Sequence, residues 1–162
     1  IVGDSATVTF NGRSYASSSP CFLRVTLLRR PYADSSCPDD RDIFTCEIAI
    51  QVDAFSGTYS TAIWGRELVR LRDVLAMLYQ RVGQETEAAF TPLENAFELR
   101  FHLTPLGHLT TVVAAHGTPG MGPDLHFSVE ADQSYIPQWI AEVDAAIARF
   151  PPENQVDVGT PE

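Results

Sequence analysis

Phe44-Thr-Cys-Glu-Ile-Ala-Ile-Gln-Val-Asp53, then Thr58-Tyr-Ser-Thr-Ala-Ile-Trp64, then a run from Arg66 to Val82, form the stretch that decides the fold. In the first segment Phe44, Cys46, Ile48, Ile50 and Val52 fall on one face, and Thr45, Glu47, Ala49 and Gln51 on the other. That alternation is what a strand needs when its sheet is packed on one side and wet on the other. Tyr59, Thr61 and Ile63 alternate with Ser60, Ala62 and Trp64 in the return strand, with Ser56-Gly57 as the expected turn. From Arg66 the period changes. Leu68, Leu71, Val74, Leu75, Leu78 and Val82 recur at three- and four-residue steps, which predicts an amphipathic helix that Gly83 stops. Such a stripe must lie against a sheet.

Upstream, Ala6–Phe10 alternates and is followed by Asn11-Gly12, a strong two-residue hairpin signal that predicts a return strand at Arg13–Ser17. Cys21–Arg29 reads as a strand with Leu23, Val25 and Leu27 inward, and Arg30–Asp42 as a loop longer than most in compact domains. Downstream, Glu85–Ala89 is polar, Phe97–Leu103 alternates strictly, and Leu109–Ala115 pairs back across the turn Thr104–Gly107. Gly117–Pro123 is a loop and Leu125–Val129 a strand. A closing helix follows, with Ile136, Trp139, Ile140, Val143, Ile147 and Phe150 on its apolar stripe. Pro137 is tolerated there because first-turn amides have no intrahelical partner. The expectation is an α+β fold: a mostly antiparallel sheet of about seven strands carrying one central and one C-terminal helix. Residues 1–152 form one domain on this reading, and residues 153–162 are a tail that frays. No internal repeat is visible in the sequence.

The 162 residues carry 21 acidic and 11 basic side chains, a net charge of −10. That sign opposes nucleic-acid binding, where cations must replace the counterions of phosphate. It suits solubility, or a basic protein partner. Three cysteines, Cys21, Cys37 and Cys46, are too few and too odd for a secreted disulfide scaffold. No run approaches the ~18 apolar residues of a membrane span. Ile1-Val2-Gly3-Asp4 has no signal-peptide character, so the cytoplasm is the expected compartment, and the missing initiator Met suggests that a few residues precede it.

Candidate chemistry is sparse. His102, His108, His116 and His126 stand six, eight and ten residues apart, unlike any metal-ligand spacing, so no metal or cofactor is expected. No G-x-S-x-G elbow or phosphate-binding loop is present, and no catalytic residue is assigned. His116, beside the loop Gly117-Thr-Pro-Gly-Met-Gly122, is the one titratable group next to a flexible segment, and offers a second reading as a small-ligand or hydrolytic site. Asp34, Asp39, Asp40 and Asp42, with Glu47 on the wetter face of the neighbouring strand, form the best candidate partner-binding surface. Clustered carboxylates there mimic phosphate toward a basic protein and speed the encounter. A third reading is a homo-oligomeric domain that uses a sheet edge or helix face.

The order of elements resembles a known family. Its marks are the helix Glu67–Leu78, Phe90-Thr-Pro-Leu-Glu-Asn-Ala-Phe-Glu-Leu99, the strand pair around Leu106-Gly107, Leu125–Glu130, and the final Phe150-Pro-Pro152. Together they are similar to the WapI-type immunity proteins of bacterial polymorphic toxin systems, over roughly Cys21 to Pro152. The hairpin at Ala6–Ser17 departs from that pattern. The resemblance implies a non-enzymatic protein that binds and blocks a cognate toxin domain, often a nuclease, and it carries no catalytic residue across.

Overall fold

The computed structural model of the protein describes residues 5–153. Eight strands form one antiparallel sheet: β1 (Ala6–Ser14), β2 (Pro20–Arg29), β3 (Ile43–Val52), β4 (Phe55–Trp64), β5 (Thr86–Phe90), β6 (Phe97–Leu103), β7 (His108–His116) and β8 (Asp124–Asp132). A single helical turn, α1 (Pro38–Arg41), precedes β3; α2 (Gly65–Gln80) follows β4, and α3 (Ile136–Arg149) follows β8 after a short 3-10 turn. The sheet order is β4-β3-β2-β1-β8-β7-β6-β5. Each half is therefore a four-strand meander followed by a helix. The repetition lies in topology, where no sequence repeat announces it.

The predicted faces hold. Leu23, Val25, Leu27, Phe44, Cys46, Ile48, Phe97, Leu99, Phe101 and Leu103 are buried, as are Leu68, Leu71, Leu75 and Leu78 of α2 and Ile136, Trp139 and Val143 of α3. Burial pushes the Cys46 thiol up to about 12 and that of Cys21 up to about 11, while Cys37 is exposed; all three are free.

Three local expectations are corrected. Asn11-Gly12 makes no turn: β1 runs straight through it, paired with β2 from Ala6↔Leu27 to Arg13↔Pro20. Both residues are instead claimed by tertiary contacts. The Asn11 amide oxygen accepts from Trp139 Nε1 at 3.2 Å, and a Cβ on Gly12 would stand 2.4 Å from the backbone oxygen of Glu130. Ser56-Gly57 lies inside β4, and the hairpin closes at Asp53-Ala54, with Val52↔Phe55 the last pair and Asp53 at φ 52°. Aspartate tolerates that left-handed conformation better than most residues. The polar stretch at 85–89 contains β5, an eighth strand pairing Thr86–Phe90 with Leu103–Leu99.

The two halves meet along a narrow seam. β1 and β8 pair only at Arg13↔Glu130 and Ser14↔Val129, so most of one edge of β1 has no strand beside it. Helix α3 fills the opening. Glu142 Oε2 accepts from the Thr9 amide at 3.3 Å, taking the place of a strand carbonyl, and burial raises the Glu142 carboxyl above its usual range. The Trp139 ring meets Phe10 of the first half at 5.3 Å and Phe101 of the second at 6.3 Å. Gly12→Ala drives a methyl group into the β8 backbone at this seam, where no flexible side chain can yield. It is expected to lower stability by about 1–3 kcal/mol in urea unfolding.

Candidate functional site

The segment from Arg30 to Asp42 is a fastened loop built around α1. Arg41 Nη1 donates to the Ser35 carbonyl at 2.8 Å, Ser35 Oγ to Asp40 Oδ2 at 3.0 Å, and the Cys37 amide to Ser35 Oγ at 3.1 Å. Asp34 and Asp39 are exposed, Asp40 is half-buried, and Glu47 is exposed on the outer face of β3 opposite Ser60. Asp39 also pairs with Arg66 at 2.9 Å, at the start of α2. Tyr32 within the loop, at 55% exposure, and Leu28 near the end of β2 are exposed apolar side chains.

Asp42 does not belong to this surface. It is fully buried. Its Oδ2 accepts from the Arg66 amide at 3.1 Å, its Oδ1 from the Glu153 amide at 3.2 Å, and its carbonyl from the Gly65 amide at 2.9 Å. The carboxylate thus caps the N-terminus of α2, where the helix dipole favours negative charge, and ties down the chain beyond α3. Gly65 is required beside it, since a Cβ there would lie 2.5 Å from Asp42 Oδ1. Glu153, the first residue expected to fray, is held by that bond and by pairs to Arg30 and Arg41; the rest of the predicted tail lies outside the described residues. Glu67, also buried, completes the same corner by accepting from the Trp64 amide at 3.0 Å and the Leu93 amide at 2.6 Å.

The second reading, around His116, meets a different environment from the one its sequence suggests. His116 Nδ1 lies 2.7 Å from Asp124 Oδ1, and its Nε2 lies 3.6 Å from Glu98 Oε2. The adjoining loop spends its own amides internally: Gly117 donates to Pro123, and Met121 and Gly122 to Thr118, each at 3.0 Å. An anion would find few donors there. Tyr59 and Trp139 serve the core, the Tyr59 hydroxyl donating to the Ala96 carbonyl at 2.6 Å. Trp64 is half-buried, with the Arg66 guanidinium 5.7 Å from its ring centre.

The outer face of β5–β8 escaped sequence reasoning. Strand register gathers Glu87, Glu98, Arg100, His102, Thr110, Val112, His126 and Glu130 onto one open surface. His102 pairs with Glu85, and His108 Nε2 with Glu130 Oε2 at 2.6 Å. The hydrogen bond that the ring donates to the Glu85 carboxylate raises the His102 imidazole above its ordinary value. The alternation of Phe97–Leu103 already set Glu98, Arg100 and His102 outward; strand neighbours are what no single segment reveals. Among the described residues no group of three or more His, Cys, Asp or Glu side chains is placed to hold a metal ion, and no helix is long and apolar enough to cross a membrane.

Fold and surface together define an α+β protein of two ββββα halves, presenting fastened loops and open sheet faces. The chain belongs to the WapI-like immunity protein family, whose model matches residues 14–151. No curated protein matches it. Among solved structures it is similar to a chain of the Trypanosoma brucei MRP1/MRP2 crystal structures, at 13% identity and a TM-score of 0.45, over 90% of this chain and 84% of that one.

Proposed function

We propose that this protein acts by binding: it is an immunity protein that occludes a cognate toxin domain, and the fastened acidic loop with Glu47 is its contact surface. The family match across residues 14–151 is the observation that carries the reading. The exposed carboxylates of Asp34, Asp39 and Glu47 supply the steering field that a basic toxin domain, such as a nuclease, would meet. Tyr32 and Leu28 supply the apolar and aromatic contact area on which interfaces concentrate their binding energy. The loop's internal hydrogen bonds present these groups in one arrangement before binding, which lowers the ordering cost.

The test is titration calorimetry and stopped-flow association against a toxin domain from the same genome. Replacing Asp34, Asp39 and Asp40 by Asn is expected to slow association about tenfold at low salt, with the difference shrinking as salt is added. Tight binding that ignores these changes would move the interface to another face and leave the immunity reading standing. Absence of binding by the unaltered protein would overturn it.

A further inference from the structure

The sheet has two outer edges, and they are treated differently. β5 is five residues long, carries Glu87, and has α2 beside it, with Arg70 Nη2 donating to the Thr91 carbonyl at 2.6 Å and Glu67 accepting from Leu93. Shortness, charge and cover are the devices by which natural sheets protect an edge. β4 uses none of them. It is ten residues long, Phe55-Ser-Gly-Thr-Tyr-Ser-Thr-Ala-Ile-Trp64, with no charge and no proline. Phe55–Thr58 and Ser60 are exposed, Phe55 at 63%. Among the described residues no strand pairs with its free side, and its first half lines a cleft of about 540 Å³ shared with Gly117, Pro123 and Leu125.

The geometry points to β4 as a docking edge for a second copy of this chain, the two β4 strands pairing antiparallel about a two-fold axis. A strand edge is complementary to itself under that symmetry, since each copy offers the same row of donors and acceptors. Charge selects the place. A chain of net charge −10 sets carboxylates against carboxylates at most of its surfaces, whereas ten uncharged residues bring none into register. Asp53 lies in the turn before the strand and Asp124 lines the cleft beside its first half, and within the sheet the nearest like charge is Glu47, one strand in from the edge and opposite Ser60. Across the joined edges the symmetry mate of Glu47 lies three strand spacings away, roughly 14 Å. That exceeds the ~8 Å Debye length at physiological salt, so the pair is screened. Pairing would unite two eight-stranded sheets into one and leave β5 as the only type of free edge.

Sedimentation velocity over a concentration series is the test, with hydrogen exchange on the same samples. The expected result is a monomer–dimer equilibrium that strengthens with salt, as repulsion between the two acidic bodies is screened, and exchange protection over residues 55–60 that grows with dimer fraction. Thr58→Glu sets a carboxylate on the outer face near its own symmetry mate. It should raise the dimer dissociation constant about tenfold or more while the monomer's unfolding midpoint stays unchanged. A monomer at every concentration, or a dimer that Thr58→Glu leaves intact and in which residues 55–60 exchange freely, would overturn the proposal. Should the variant fold poorly, the exchange pattern of the unaltered protein decides alone. The toxin-binding reading has its own titration and stands or falls by it, although Glu47 of that surface lies only one strand in from this edge.

Discussion

Trp139→Ala is expected to lower the unfolding free energy by about 3–5 kcal/mol, the range for removing a large aromatic from a core that cannot collapse around the vacancy. The position is demanding for a specific reason. The indole is fully buried, touches Phe10 in one half of the sheet and Phe101 in the other, and donates its N–H to Asn11. Truncation therefore opens a cavity, leaves a half-buried amide oxygen without its donor, and removes the wedge from the unpaired edge of β1 in one step. Trp139→Phe, which keeps a ring but no donor, should fall well short of that loss. Urea unfolding of both variants checks the ordering. A loss below about 1 kcal/mol for the alanine variant would mean that the seam holds without α3.

Asp42→Ala is the second large effect, expected at about 3 kcal/mol. Hydrogen bonds to a charged group contribute about 1.5–3 kcal/mol each, and removal leaves the amides of Arg66 and Glu153 without their acceptor. Asp42→Asn retains one acceptor oxygen and should lose about half as much. The same pair of variants separates structure from recognition. Their damage appears in unfolding curves, whereas substitutions at Asp34 or Asp39, both exposed, should leave stability within about 0.5 kcal/mol. Grouping Asp42 with its acidic neighbours in one binding experiment would confuse the two.

These residues also mark how far the sequence speaks. Where a segment's period is set by burial on one face, as in Phe44–Asp53, Arg66–Val82 and Phe97–Leu103, the pattern and the structure agree. Misreadings occur where a tertiary contact outweighs a local preference. Asn11-Gly12 has the composition of a tight turn, yet Gly12 is glycine because the β8 backbone passes against it, and Asn11 is there to receive an indole N–H. Thr86–Phe90 buries only Thr86 and Phe90 and shows almost no apolar signal, which is natural for an edge strand. Asp42 looks like one more surface carboxylate because the amides it serves lie 24 and 111 positions away. The candidate surface is legible in the same uneven way. The acidic loop announces itself by composition, but the second acidic face of Glu87, Glu98 and Glu130 exists only once strands are placed side by side.

The narrow seam between β1 and β8 bears on how the chain reaches its native state. Each meander is assembled from hairpins between strands adjacent in sequence, so its contacts form at small loop-closure cost and are fast. The join between the meanders is different: it spans more than a hundred residues and rests on two residue pairs until α3 arrives. During synthesis the first meander and α2 emerge long before α3 can reach Phe10 and Thr9. The seam is therefore the late step, and destabilisation at Trp139 or Gly12 should appear chiefly as faster unfolding rather than slower folding.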